Sequence, residues 1–209
     1  MRQPQLINKK LLAPHFRLLR GVWFRGVELQ YIATPLQYSH TLIGSSRFSY
    51  ADQQHPSFPL IYLTENHDTA LKEVRAVFNP PGTQVVVPNP AGTWVILNVT
   101  VALTAILDLT EVSVQNALQT NFQELTGDWR GYYLRTFPGS SVQGTGPPAP
   151  TQMLGAALHR IPKLLGFLTI SSQDPTRKNL VIFPDKIQTP AAGKIEFTDP
   201  ASGLVHQIP

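Results

Sequence analysis

The sequence predicts an α+β fold: a mixed, mostly antiparallel β core with flanking helices. Short β-branched and aromatic runs outnumber segments of helical periodicity. Their order is strands, a helix, strands, helices, strands, without the regular βαβ alternation of a parallel sheet. In addition, 19 prolines and 14 glycines cut the chain into short elements. A chain of 209 residues is long enough for one sizeable core, and residues 1–209 are read as a single domain.

Taken in order, residues 1–20 are a polar lead-in with room for one helical turn. "GVWFRGV" (Gly21–Val27) is aromatic and β-branched, a first strand ending in Arg25-Gly26. "QYIATPLQYSHTLIGSS" has no clean period and is expected to wander over the surface. "RFSY" (Arg47–Tyr50) follows the small-residue turn Gly44-Ser45-Ser46, and "ADQQHPSFP" is a loop. "LIYLT" (Leu60–Thr64) is a buried strand by composition. The clearest helix runs from Asn66 to Phe78. Its apolar stripe is Ala70, Leu71, Val74, Val77 and Phe78, Asn66 or Asp68 can cap it, and "NPPG" stops it. At about 100° per residue, Glu73 falls about 100° from the centre of that stripe, at the margin of the buried face. Arg75 falls at the opposite margin.

"TQVVVP" and "TWVILNVTV" read as two further strands, and "AILDLT" leads to a short helix around Val112–Leu118. "ELTGDWRGYYLRTF" is aromatic and basic without a clear period; Trp129 is expected in the core and Arg130 in solvent. "PGSSVQGTGPPAP" (Pro138–Pro150) is a long loop by composition. The remaining residues carry a helix ("TQMLGAALHRI") and two strands ("GFLTI", "NLVIF") expected to complete the same core. His159 on that helix is expected to be structural.

Charged residues make up 14 % of the chain, against about 25 % in ordinary globular domains. A chain this sparing with charge makes a carboxylate beside an apolar stripe worth explaining. The net charge is +4 and the pI near 9.5, a balance that suits an anionic partner. The positive residues are scattered, with Lys9-Lys10 the tightest pair, so direct nucleic-acid binding is not expected. There is no cysteine, which excludes disulfides, thiol catalysis and cysteine-based zinc sites and agrees with a cytoplasmic location. "MRQPQLINKKLLAPHF" lacks the apolar core of a secretory signal, and runs such as "VALTAIL" are too short to span a bilayer, so no membrane association is expected.

The familiar chemical motifs are missing. No glycine-rich phosphate loop precedes a helix, the six histidines show no HxH or HxxxH pairing for a metal, and no G-x-S-x-G elbow occurs. What remains is an ordered set. Arg25 ends a strand in "WFRG", Arg47 opens "RFSY", Tyr62 lies in "LIYLT" and Glu73 follows eleven residues later. Ser171 and Ser172 come late, in "GFLTISSQDPTRKNLVIF".

This arrangement resembles the RES domain family. Its pattern is an arginine at a strand end, a second arginine in a turn, a tyrosine strand, an "AL-x-E" helix and a serine before an "NlvlF" strand. Here these become "FRG", "SRFSY", "IYLT", "ALKEV" and "ISSQ…NLVIF", over about Val22 to Phe183. The family usually has a proline before its serine, where this chain has Ser171-Ser172. Spacing to Asn179 favours Ser172, with Ser171 in reserve. The stretch from Gly127 to Pro150 is longer and more loop-rich than in compact members, and could cover a pocket or meet a partner.

The resemblance implies a core similar to the ADP-ribosyltransferase fold and chemistry on NAD as substrate, without a metal. It implies a toxin that consumes NAD by phosphorolysis or hydrolysis, paired with an Xre-like antitoxin; a homo-oligomer is also compatible. An ADP-ribosyltransferase acting on a protein would use the same site with another acceptor, and a non-catalytic nucleotide-binding module is the alternative of a different class. Residue chemistry agrees. Arginine forks bind phosphate oxygens in pairs, suiting Arg25 and Arg47 to a pyrophosphate. A carboxylate such as Glu73 stabilises positive charge developing on a ribose whose glycosidic bond breaks. Tyr62 can stack on a base, and a serine hydroxyl can hold an amide or a phosphate oxygen.

Overall fold

The computed structural model describes residues 12–50, 57–78, 85–136 and 148–209. Its strands are β1 (Arg17–Glu28), β2 (Ile61–Thr64), β3 (Val77–Phe78), β4 (Val87–Pro88), β5 (Trp94–Asp108), β6 (Gly166–Ile170), β7 (Lys178–Ile182), β8 (Gly193–Thr198) and β9 (Val205–Ile208). The helices are α1 (His67–Glu73), α2 (Val112–Leu118), α3 (Phe122–Thr126), α4 (Trp129–Thr136) and α5 (Pro150–His159). Seven strands form one sheet in the order β1-β2-β7-β6-β5-β8-β9, and β1 also pairs with β5. The pairings β1-β2-β7-β6-β5 therefore close on themselves, with β8 and β9 added beside β5. Every pairing is antiparallel except β5 with β6. The predicted mixed, mostly antiparallel α+β core is the fold observed.

Alternation along the strands feeds two apolar clusters. Ile61 and Leu63 of β2 join Leu97, Val99, Leu103, Leu180 and Ile182 on one face. Leu60 and Tyr62 turn to the other, with Phe48, Phe167, Val181 and Phe183. Both faces of β2, β6 and β7 are covered, which is why they read as near-continuous apolar runs. Leu154 and Leu158 of α5 complete the second cluster. Gly155 allows this approach: a Cβ there would lie 2.0 Å from the carbonyl oxygen of Phe48. Segments on both sides of the predicted long loop thus share one sheet and its packing.

Several boundaries differ from expectation. The helix stops at Glu73 rather than Phe78, because Arg75 takes a left-handed conformation with φ 57°. The Arg75 N–H then bonds to Lys72 O at 3.0 Å and the Ala76 N–H to Leu71 O at 2.9 Å, the paired bonds of a Schellman terminator. Val77 and Phe78 pass into β3, whose partner β4 is, among the described residues, the part of the strand expected in "TQVVVP" that forms. Conversely, "TWVILNVTV" and the following "ALTAILD" are one 15-residue strand, β5. Residues 17–20 of the expected lead-in already belong to β1, where they pair with the far end of β5. "QYIATPLQYSHTLIGSS" begins inside one 3₁₀ turn, Leu29–Tyr31, and contains a second, Ser39–Leu42.

Two helices, α3 and α4, and, besides β3, two strands, β8 and β9, differ from expectation. In α3 the apolar side chains do not share one buried stripe: Leu125 is buried but Phe122, one turn away, is exposed. Asn121 nevertheless caps α3, its side chain accepting from the Glu124 N–H at 3.0 Å. Strand β8 does carry period-2 alternation, with Ile195 and Phe197 inward and Lys194 outward, so its signal was present in the sequence. Residues 1–11, the "ADQQHP" and "NPPG" segments and residues 138–147 of the long loop lie outside the described residues.

Candidate active site

Glu73 is the last residue of α1, a helix capped by Asn66, whose side chain accepts from the Thr69 N–H at 2.8 Å. The helix end packs on β1 at Gly26, where a Cβ would stand 2.8 Å from both Val74 methyl groups. No side chain fits between them, so glycine after Arg25 lets α1 lie directly on the strand. Glu73 is half-buried. Its Oε1 accepts from Ser171 Oγ at 2.5 Å and from Asn179 Nδ2 at 2.6 Å. Ser171 Oγ itself accepts from the Gln173 and Asp174 N–H groups at 3.2 and 3.0 Å, which fixes its own proton on Glu73. Lys72 holds the same turn through Asp174 at 2.8 Å, and hydrogen bonds from Lys72 and then Thr176 lower the Asp174 pKa. Among the described residues nothing bonds to Oε2 of Glu73. The carboxylate is anchored by one oxygen and presents the other.

Glu73 lines a cleft of about 420 Å³ whose walls also include Arg25, Arg47, Tyr62 and Ser172. Arg47 donates from Nη1 to Leu125 O at 2.7 Å, so the end of α3 aims it. Burial lowers its pKa, while Glu73, Tyr62 and Asp128 work in the opposite sense. Tyr62 Oη pairs with Ser46 Oγ at 2.8 Å, and burial above all raises its pKa to about 12. Its phenol stays neutral across the physiological range.

Arg25 donates from Nη2 to Gln37 O at 2.9 Å, but its Nη1 is buried with no partner. Desolvation lowers its pKa to about 10, leaving it charged at neutral pH. Asn179 Oδ1 and Thr169 Oγ1, both on residues lining the cleft, are also buried without partners. A buried guanidinium nitrogen without an acceptor is costly in an apo protein and suits an anionic ligand. A second cavity of about 490 Å³ adjoins the first, sharing Arg25, Gly26, His40 and Val74.

Residues 22–200 match the model of the RES domain. The chain belongs to the RES domain family. No curated protein sequence matches it. Among solved structures, it is similar to a chain in the crystal structure of the M. tuberculosis MbcT–MbcA toxin–antitoxin complex, with 14 % identity, 95 % of each chain covered and a TM-score of 0.55. At that identity the likeness is one of fold.

This RES domain brings all six residues singled out in the sequence together around one cleft, five in its wall and Ser171 behind Glu73. Ser171, held in reserve, bonds to Glu73; Ser172 lines the cleft, and its Oγ accepts from Gln173 Nε2 at 3.5 Å. Spacing in sequence could not separate them, because the turn that aims Ser171 depends on its bonds to residues 173 and 174. Asn179 was noted only as a spacing marker. A lone amide at the start of an apolar strand was the available signal. Trp129 is not in the core: it lines the cleft, with the Arg130 guanidinium 5.2 Å from its ring centroid. His159 is structural, stacked on Phe58 at 4.4 Å and paired with Asp185 at 2.8 Å. His40, passed over in the sequence, lines both cavities, and burial followed by the Arg25 charge lowers its pKa. Among the described residues no group of three or more His, Asp or Glu gathers as a metal site, and no helix is long and apolar enough to cross a membrane.

Proposed function

We propose that this RES domain is a toxin-type enzyme that consumes NAD by cleaving the nicotinamide N-glycosidic bond, with phosphate or water as acceptor. The observation that carries this reading is Glu73: a carboxylate fixed through Oε1 by two neutral donors, its Oε2 without a hydrogen bond among the described residues, in the wall of a cleft that Arg25 and Arg47 also line. Such a group stabilises positive charge developing on the ribose without prior reorganisation. The unpartnered Nη1 of Arg25 and the aimed guanidinium of Arg47 suit the pyrophosphate of the dinucleotide. Tyr62, neutral and half-buried, offers a ring face for a base.

The toxin reading draws on the M. tuberculosis complex, whose name gives a toxin with its antitoxin. An antitoxin covering the cleft is the partner we propose here, and the cytoplasm, where NAD is abundant, the location. The test is to incubate purified, antitoxin-free protein with NAD in phosphate and in phosphate-free buffer, and to identify products by mass spectrometry. Phosphorolysis would yield ADP-ribose 1″-phosphate, and hydrolysis ADP-ribose, each with free nicotinamide. ADP-ribose attached to protein would instead identify a transferase, and NAD left intact would favour a silent binding module.

A further inference from the structure

Arg75 stands apart from the residues already placed in the site. It is one of two non-glycine residues with positive φ among the described residues, at 57°, in the position after a helix end where glycine is most favoured. Were α1 to continue, residue 75 would lie about 200° around the axis from residue 73 and face away from the cleft. The left-handed turn reverses the chain, and Arg75 instead lines the same cleft as Glu73.

The turn is held from outside. Asn89 donates its backbone N–H to Ala76 O at 2.8 Å and its Nδ2 to Arg75 O at 2.9 Å. Inside, the contact of Val74 on Gly26 joins the two segments that carry Arg25 and Arg75. Arg25 and Arg47 are each tied to a backbone carbonyl, whereas the exposed side chain of Arg75 makes no hydrogen bond or ion pair among the described residues. A helix terminator needs only a residue that accepts positive φ. A long cation in that place, delivered to the cleft by the strain itself, calls for a ligand.

We propose that Arg75 is a positioning residue that binds the diphosphate of the dinucleotide at the rim of the cleft. This deepens the NAD reading and rests on it for the identity of the substrate. The left-handed backbone is kept, against the stability glycine would give, because glycine supplies no cation.

Arg75→Gly and Arg75→Lys test it by three readouts: thermal melting, calorimetric binding of ADP-ribose, and NAD turnover. Arg75→Gly should melt at the wild-type temperature or about 2–4 °C higher, as relief of left-handed strain predicts. Its ADP-ribose affinity should fall about tenfold, the scale of one lost charge-assisted contact, with KM for NAD rising alike and kcat within about twofold. Arg75→Lys should recover part of the affinity but none of the melting gain. Unchanged ADP-ribose affinity in Arg75→Gly overturns the proposal, as does wild-type protein that binds no ADP-ribose. If NAD is consumed while KM and affinity are unmoved, the role of Arg75 fails and the NAD reading stands. If NAD survives but affinity drops in Arg75→Gly, the cleavage reading fails and the diphosphate contact stands.

Discussion

Two carboxylates held by the same sheet, Asp108 and Glu73, are treated in opposite ways. Asp108 ends β5 and is 2 % exposed. Its Oδ1 accepts from the Thr110 N–H at 2.9 Å and Thr110 Oγ1 at 2.6 Å; its Oδ2 meets Arg17 and, at 3.2 Å, Lys178. Both oxygens are used and the charge is matched by two cations, as a buried structural carboxylate requires. Glu73 lines a cleft and has one oxygen used, by neutral donors alone, and the other without a hydrogen bond among the described residues. A carboxylate that ties β1, β5 and β7 together is saturated. One meant to meet a changing charge is positioned but left incomplete.

The largest expected effect separates the two by activity. Glu73→Gln keeps an oxygen for Ser171 and Asn179 but removes the negative charge, so NAD consumption should fall by about 10²-fold or more. Its melting temperature should move by no more than about 2 °C. Undiminished turnover in that variant would end the proposed mechanism. Asp108→Asn should do the reverse. It leaves Lys178 without its counter-charge and Arg17 with Glu111 alone, at about 2–3 kcal/mol, seen as a melting temperature lower by about 5–10 °C with turnover per folded molecule within about twofold.

The serines refine the contrast. Ser171→Ala deletes the donor to Glu73 and the acceptor for two N–H groups, so kcat should drop about tenfold. Ser172→Ala should change kcat by less than about threefold; equal effects would show that the Ser171 bond does not position Glu73. The smallest effect concerns pH. The Tyr62 pKa is raised to about 12 from an ordinary 10, so the folded state retains a proton that the unfolded state loses first. The stability this gives is fully present below pH 10 and is lost as pH rises through 12. Tyr62→Phe should therefore show a flatter loss of stability over that window in chemical denaturation. Equal slopes would mean that the phenol is not desolvated.

Legibility in the sequence followed the range of the forces involved. Strand β2 and helix α2 were readable because their apolar patterns reflect burial of whole faces. The C-terminus of α1 was not, since a stripe of apolar residues continues to Phe78 while the stop depends on the backbone of Arg75 and its tie to Asn89. Helix α3 lacked a stripe because it lies half in solvent, with Phe122 exposed and Leu125 buried. At the site, residue types and order were enough to single out Arg25, Arg47, Tyr62 and Glu73. Asn179 and the bonding of Ser171 rather than Ser172 to Glu73 came from contacts across 106 and 98 residues and from a turn's hydrogen bonds.

By itself, then, the sequence determined the α+β class, the RES-type set of polar residues and the margin position of Glu73, because these follow from local pattern and chemical identity. Only the tertiary structure decided that the strands close through β1 and β5, which serine touches Glu73, which of its oxygens is open, and that Arg75 faces the cleft. Each of those depends on distant backbones meeting at fixed register. Burial alone cannot encode them locally, since the same residues would satisfy the same pattern in more than one arrangement.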